Sequence, residues 1–284
     1  MADLKKAQRI IEKALKELNK KLGGVEPSFN KSIIDWINKF DISGGNISNN
    51  QTNQDRLLSF QKNLKKFLLE AGYSEMVSKF IVNFDELQDN QKELQLTLNG
   101  IKLNDKFLNP YKKWAINNVI AGMEGQGLDV NLVTPLQNQL FTTVNQGGSL
   151  KDLIASVEAM IVTNEERAGL LRKNAIQVSR DALGQYNGVV NEAVRSVYNL
   201  DGILYVGTLV KDSRPQCERW VDYETYGIEG LIPFSELQKE IDWALDNGTG
   251  FIKETTPETF NQFRGGYNCR HEAYPVRLSN YKPK

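Results

Sequence analysis

The feature that most constrains the fold is an apolar periodicity of helical type that recurs along the chain as far as Tyr198. In the first segment, apolar residues recur at the i, i+3, i+4 and i+7 spacing of an amphipathic helix: Leu4, Ala7, Ile10, Ile11, Ala14, Leu15, Leu18 and Leu22. We predict that this helix ends at Gly23-Gly24, because glycine commonly follows the last helical turn. A chain in which such segments predominate is expected to be mainly α.

Further segments with helical periodicity follow, separated by turn-forming residues. They are residues 31–40, 55–71, 74–98, 105–123 and 130–144. Between the first two of them, "DISGGNISNNQTNQ" (residues 41–54) is rich in Gly, Asn, Ser and Gln, which predicts a mobile loop.

Two capping patterns predict the starts of later helices. Ser149 with Asp152 resembles a capping box and opens one helix. Thr163 with Glu166 repeats the arrangement, and it predicts the start of the longest helix, over residues 164–198. Glycines inside that helix cost stability, so we expect another backbone to pack closely on them: Gly169, Gly184 and Gly188.

After Gly202 the sequence becomes β-branched and aromatic, and "ILYVGTLV" predicts a strand that pairs with the later "EAYPVRL". Between them lie a short helical turn, "SRPQCERWVD", and a helix with Ser235 as N-cap and Gly248 at its end. The predicted architecture is a helical N-terminal half, residues 1–145, followed by a small α+β C-terminal domain, residues 146–284.

Charge and cysteine content exclude several classes of protein. The 35 basic and 35 acidic residues give a net charge of zero, which argues against a strongly electropositive nucleic-acid clamp. Two cysteines are too few for a secreted disulfide framework. Neither a signal-peptide core nor an apolar run of membrane-spanning length is present in the sequence, so we expect a protein that folds in a reducing cytoplasm without membrane association.

The outer face of the first helix is basic. It is interpreted either as a solvated surface or as a contact for a partner or for nucleic-acid phosphates. The residues concerned are Lys5, Lys6, Arg9, Lys13, Lys16 and Lys20.

The soft metal-ligand side chains are confined to two short segments, with Cys217 in one and Cys269 and His271 in the other. Zinc binds thiolates and imidazole, but a closed structural site needs four ligands. The fourth ligand would be a water or a nearby carboxylate, and the candidates are Asp212, Glu218 and Asp222. A disulfide between Cys217 and Cys269 is a further alternative, which a reducing compartment disfavours.

A structural clasp without metal or catalysis is the interpretation that we favour, so the expected cofactor is none, with zinc as the alternative. Cys217 and His271 could form a nucleophile pair, but the sequence lacks a cysteine-protease signature, and a single histidine cannot serve as both nuclease base and metal ligand. In the clasp, Gly265-Gly266 permits unusual backbone angles and Asn268 mimics a turn. Arg270 offers a planar fork for which Asp212 and Arg214 are the expected neighbours.

Together these segments resemble the phage minor head, or head morphogenesis, family typified by the F protein of phage Mu. The resemblance spans residues 145–276. In the family, an Arg-Ala pair and an Ile-Ala-Arg-Thr-Glu-like stretch precede a strand, an Asp-x-Arg-x-x-Cys segment and a closing Asn-Cys-Arg-Cys or Asn-Cys-Arg-His segment. Arg167-Ala168 and Arg180-Asp181 correspond to the first two features. The positions that match the paired segments are Asp212, Arg214, Pro215, Cys217, Gly265, Gly266, Asn268, Cys269, Arg270 and His271.

The resemblance implies a low-copy structural protein of the virion, made in the host cytoplasm and placed at the portal vertex or in the capsid interior. It implies the portal protein and capsid or scaffold proteins as partners, and a role in head assembly and in some members in genome packaging or delivery. From the residues themselves, we expect no catalytic site. DNA contact and self-association remain alternatives, and so do two rival functions: a zinc-stabilised nucleic-acid-binding module and a phage-encoded enzyme or toxin.

Overall fold

A computed structural model describes residues 3–266 and 269–282 of the 284-residue chain. It confirms the predicted fold class, because the chain is mostly helical and small antiparallel sheets lie in its C-terminal part. The prediction for Asn268 falls outside the described residues.

Twelve helices are found in the described residues. They are α1 (Lys6–Ile37), α2 (Gln51–Glu70), α3 (Tyr73–Ile81), α4 (Asn83–Asn99), α5 (Asp105–Met123), α6 (Gln126–Leu128), α7 (Thr134–Asn145), α8 (Leu150–Ile161), α9 (Leu170–Tyr198), α10 (Pro215–Val221), α11 (Leu237–Asn247) and α12 (Phe260–Phe263). A π-helical turn, Asp129–Val133, joins α6 to α7.

The strands are short and antiparallel. They are β1 (Ile42–Ser43), β2 (Asn46–Ile47), β3 (Gly202–Val206), β4 (Glu224–Thr225), β5 (Ile228–Glu229), β6 (Leu231–Pro233) and β7 (Glu272–Val276). Two of the sheets are the hairpins β1-β2 and β4-β5, and the third has the order β6-β3-β7. The predicted pairing of the two main strands is confirmed, since β3 and β7 are neighbours and Tyr205 lies opposite Ala273.

The chain divides into two compact units whose segments interleave along the sequence. One comprises Met1–Lys13, Asn83–Ile116 and Arg180–Lys284, and the other comprises Ala14–Val82 and Asn117–Ser179. The domain boundary predicted at residue 145 does not coincide with this division and stays a prediction.

The unit formed by Ala14–Val82 and Asn117–Ser179 has a mainly helical core. In it, the Trp36 ring lies 5.2 Å from the Phe40 ring and 5.1 Å from the Phe60 ring, measured between centroids. Glu26 is buried and accepts hydrogen bonds from Arg172 Nη2 at 2.7 Å and Thr163 Oγ1 at 2.9 Å. The buried charge is therefore paired, which removes most of the cost of its desolvation.

The other unit builds its core on the two faces of the three-stranded sheet. One face carries Ile203, Tyr205 and Ala273, and it packs against α10, α11 and α12. The opposite face carries Leu204 and Tyr274 and packs against apolar residues that include Leu94 of α4. Because side chains alternate along a strand, this arrangement follows directly from the alternation of the sequence.

The predicted end of the first helix at Gly23-Gly24 is wrong. α1 continues to Ile37, through Pro27 and into the segment predicted as a separate helix at residues 31–40. The buried residues that continue its apolar face are Val25, Phe29, Ile33 and Ile37. Burying each of these side chains contributes about 1.5–3 kcal/mol, which outweighs a penalty of about 1 kcal/mol for each glycine.

The prediction of a mobile loop over residues 41–54 is also wrong. This segment contains the β1-β2 hairpin, and α2 begins within it at Gln51. Asn53 is fully buried, and its side-chain amide donates to the Asp41 and Ser48 carbonyls at 3.0 and 2.7 Å. Asn50 caps α2 by accepting from the Asn53 N–H. The polar side chains thus supply hydrogen bonds that fix the segment.

The cap at Ser149 is confirmed, since its hydroxyl accepts from the Asp152 N–H at 3.3 Å. The predicted start of the long helix at residue 164 is wrong. Thr163 Oγ1 instead accepts from the Gly169 N–H at 3.0 Å and holds a loop, so that α9 begins at Leu170. α1 is the longer helix, with 32 residues against 29.

The predicted N-cap at Ser235 is wrong as well. Ser235 lies in a 3₁₀ turn, Phe234–Glu236, before α11 begins at Leu237. The predicted helix end at Gly248 is confirmed. Close backbone packing is confirmed at Gly188, where a Cβ atom would lie 2.5 Å from Gln262 Cα.

Candidate metal centre

The antiparallel register of β3 and β7 places His271 beside Tyr205. Val206 pairs with Glu272, so the residues that follow and precede them, Gly207 and His271, lie across from each other. The Tyr205 and His271 rings stack with centroids 5.3 Å apart and planes 12° apart. A Cβ atom at Gly207 would overlap the imidazole, so glycine is what leaves room for it.

Helix α10 brings Cys217 to the same place. It begins with Pro215 in its first turn, as expected for a residue without an N–H. Cys217 then faces inward, with 3% of its surface exposed, and Trp220 follows on the same helix. Trp220 packs edge-on against Tyr205 and Phe260, which anchors the helix to the sheet.

The three predicted soft ligands are brought together. Cys217 Sγ and Cys269 Sγ are 4.0 Å apart, and Cys269 Sγ lies 3.7 Å from His271 Nδ1. Ligand atoms of all three residues lie within 4.8 Å of one another, so this buried cluster could hold a metal ion. The two thiols are free, and their separation is about twice a disulfide bond length of about 2.05 Å.

The sequence analysis missed the hydroxyl group of Tyr205. Tyr205 Oη donates to Cys217 Sγ at 3.4 Å and lies 3.5 Å from Cys269 Sγ. The residue is 1% exposed. Strand alternation could have pointed to it. Gly207 lies across from His271, and Tyr205, two residues earlier in the strand, is on the same face of the sheet.

Gly265 covers the cluster with bare backbone. A Cβ atom on it would meet Cys217 Sγ and would lie 2.9 Å from Cys269 Sγ and 3.1 Å from Tyr205 Oη. Gly265 is thus needed for space rather than for unusual backbone angles. Its neighbour Gly266 has φ of 101°, as predicted for a residue that needs glycine's conformational freedom.

The two motif segments are tied together through the Gly265 carbonyl. It accepts hydrogen bonds from Arg214 Nη1 at 2.8 Å and from Gln216 Nε2 at 2.9 Å. Gln216, which the sequence analysis did not single out, also bonds in both directions to the backbone of Thr249. These contacts join the two segments, and we call this arrangement the clasp.

The surroundings of the two thiols shift their pKa values in opposite directions. The hydrogen bond from Cys217, together with His271 and the charge of Arg264, holds the pKa of Cys269 well below its usual range despite burial. The same hydrogen bond and burial raise the pKa of Cys217. Burial also raises the pKa of the Tyr205 phenol. Because a metal ion binds the thiolate form, the lowered pKa makes Cys269 the more favourable ligand of the two sulfurs.

A buried ion pair lies next to the cluster. Arg264, with φ of 49°, donates from Nη1 to the Gly184 carbonyl at 2.8 Å and lies 3.5 Å from Glu272 Oε2. Burial raises the pKa of Glu272 to about 7, although the Arg264 charge opposes the shift. A Cβ atom at Gly184 would lie 2.7 Å from the guanidinium, so this glycine accommodates a side chain rather than another backbone.

Other predicted site residues lie apart from the cluster. Asp212 and Arg270 are exposed, and no hydrogen bond joins them among the described residues. Asp212, Glu218 and Asp222 were candidates for a fourth ligand, but all three are exposed, and no carboxylate belongs to the cluster in the described part of the chain. The carboxylate hypothesis is therefore wrong.

The basic face of α1 is partly neutralised by acids. Lys6 pairs with Glu93 at 2.5 Å, Lys13 lies 3.8 Å from Glu86, and Arg9 pairs with Asp3. Lys5 donates to a hydroxyl, that of Thr208, at 3.5 Å. The other members of this face, Lys16 and Lys20, are exposed.

The Cys/Cys/His set thus meets Gly265, whose carbonyl is held by Arg214 and Gln216. None of the helices in residues 3–266 and 269–282 combines the length and apolarity required to cross a bilayer. Comparison of the chain with protein-family models, with curated proteins and with solved structures found no match.

Proposed function

We propose that this chain is a structural protein of the head of a tailed phage, a minor head protein that acts in head morphogenesis. The observation that carries the proposal is the clasp, in which the two segments that resemble the phage Mu F family meet at Gly265 and the Cys/Cys/His cluster. The two cysteines are 52 residues apart in the sequence, so a contact between their segments stabilises the fold of the domain that contains both.

Burial of the cluster supports a structural rather than a catalytic role. Cys217 is 3% exposed and His271 is 6% exposed, so this pair does not reach solvent as a nucleophile and a base would need to, although Cys269 is only half-buried. The polar contacts of the clasp run to backbone carbonyls, as stabilising contacts do. We therefore propose that the chain is not an enzyme and acts by binding.

We further propose that zinc is the ion that the cluster takes. Two sulfurs and an imidazole nitrogen form a soft donor set, which suits zinc better than magnesium or calcium. A bound zinc ion would tie α10 to the start of β7 and would reinforce the clasp. Metal binding would thereby contribute directly to the folding free energy.

The proposed partners are the portal protein and capsid or scaffold proteins, with the virion interior or the portal vertex as the location. The nucleic-acid alternative receives less support, because Lys6, Arg9 and Lys13 have acidic neighbours that reduce the charge available to phosphates. Self-association of the chain stays an alternative to a heterologous partner.

The proposal is tested by co-expressing the tagged chain with the portal, major capsid and scaffold proteins encoded by the same phage. We expect the portal protein to be retained on the tagged chain, and the control is the same co-expression with an untagged chain. Retention of none of the three proteins, combined with DNA binding that weakens steeply with salt, would replace this function by the nucleic-acid one.

A further inference from the structure

We infer that the Tyr205 hydroxyl is the fourth ligand of the metal centre, which makes it a closed Cys₂-His-Tyr zinc site. This inference rests on the proposed zinc site and not on the assignment to the phage head. It goes beyond the three soft ligands, because it names the oxygen that completes the coordination shell.

Four of the six distances between the proposed ligand atoms are close to those of a tetrahedron that includes this oxygen. With bonds of about 2.3 Å to sulfur and about 2.0–2.1 Å to nitrogen or oxygen, tetrahedral zinc holds two sulfurs about 3.8 Å apart and each sulfur about 3.5 Å from the other ligands. The two sulfurs are 4.0 Å apart, and Cys269 Sγ is 3.7 Å from His271 Nδ1. Tyr205 Oη lies 3.4 and 3.5 Å from the two sulfurs.

Burial favours Tyr205 over a carboxylate or a water molecule. The carboxylates of neighbouring segments, Asp212, Glu218 and Asp222, are exposed. The Gly265 backbone lies over both sulfurs and the hydroxyl, which leaves little space for an added ligand on that side. A closed site with four protein ligands is the arrangement of structural zinc.

The charge around the site is consistent with a phenolate ligand. Two thiolates, a neutral imidazole and a phenolate carry a charge of −3, so zinc leaves the site with −1. The Arg264 guanidinium is buried and interacts electrostatically with Glu272, Cys269 and Tyr205, so it offsets part of this negative charge. On zinc binding, the Tyr205 proton and any remaining thiol proton pass to solvent.

The test compares zinc binding by the full chain and by Tyr205→Phe, which keeps the ring that stacks on His271. Affinity is measured by competition with a chromogenic chelator, and the ultraviolet difference spectrum reports ionised tyrosine. We expect the unaltered chain to take one zinc ion per chain and to develop the tyrosinate signal. Tyr205→Phe should lose that signal and bind zinc at least tenfold more weakly.

Tyr186→Phe is the matched control. Its hydroxyl is also buried, and it has no hydrogen-bond partner among the described residues. This variant should keep both the zinc affinity and the tyrosinate signal, and circular dichroism of both variants checks folding. Zinc bound without a tyrosinate signal, or bound equally well by Tyr205→Phe, overturns the fourth ligand but leaves the three-ligand zinc proposal. If the unaltered chain binds no zinc, both the fourth ligand and the zinc proposal are overturned. The phage-head function is tested independently by retention of the portal protein.

Discussion

Replacing Gly265 by alanine tests the clasp directly. The added methyl group would meet Cys217 Sγ and lie 2.9 Å from Cys269 Sγ, whereas ordinary van der Waals contacts begin near 3.4 Å. Cys217 sits in the core and cannot withdraw, and the Gly265 backbone is held by Arg214 and Gln216. Overpacking costs about 1–3 kcal/mol, and weakening one of the two hydrogen bonds costs about 1 kcal/mol more. We therefore expect Gly265→Ala to lower the free energy of unfolding by about 2–4 kcal/mol.

The measurement is urea denaturation of the metal-free protein, followed by circular dichroism. Gly24→Ala is the matched control, because this glycine lies within α1 and a Cβ atom there would meet nothing within 4 Å. The control should gain up to about 1 kcal/mol from helix propensity, so the two variants should shift stability in opposite directions. A Gly265→Ala protein as stable as the unaltered chain would refute the close approach of this backbone to the sulfurs.

Two further predictions concern the buried pair beside the cluster. Arg264→Met removes the positive charge beside the buried Glu272 carboxyl and the side-chain donor to the Gly184 carbonyl, so it should destabilise the protein by about 3 kcal/mol in urea denaturation at pH 7. Adding Glu272→Gln should recover part of this loss, and an unchanged loss would contradict the pairing. Because burial raises the pKa of Glu272 from 4.5 to about 7, the folded metal-free protein holds a proton that the unfolded chain releases. The free energy of unfolding should therefore fall by up to about 3 kcal/mol as pH rises through that interval. Glu272→Gln should show a smaller fall with pH. Equal pH dependence of the two proteins would refute the pKa shift.

The parts of the fold that could be predicted from sequence are those that depend on local periodicity. The existence of most helical segments, the β3-β7 pairing and the Ser149 cap follow from spacing and capping chemistry. The end of α1 could not be predicted in this way, because burial of Phe29 and Ile33 beyond the glycine pair decides it. The role of Asn53 could not be predicted either, because the composition of a segment does not distinguish a buried asparagine that donates to two backbone carbonyls from an exposed one.

The candidate site was predictable to the extent that its residue types are rare. With two cysteines and one histidine in the chain, a hypothesis that they meet needed only the loop-like character of their segments. Tyr205 carries no such signal, because a tyrosine in an apolar strand is most simply a core residue. Its role depends on the position of the hydroxyl between two sulfurs from other segments, which the sequence of β3 alone does not contain.

The Cys/Cys/His cluster and Tyr205 connect three segments that are far apart in the sequence, so these contacts close loops in the chain. Tyr205 and Cys217 are 12 residues apart, and Cys217 and Cys269 are 52 apart. A cross-link over longer loops removes more conformational freedom from the unfolded chain, so the second closure contributes more than the first. The sheet that it supports has strands of only three to five residues and cannot be expected to hold α10 and the approach to β7 by backbone pairing alone. The cluster, with bare glycine on one side and the tyrosine stacked on His271 on the other, therefore fastens α10 to the approach to β7.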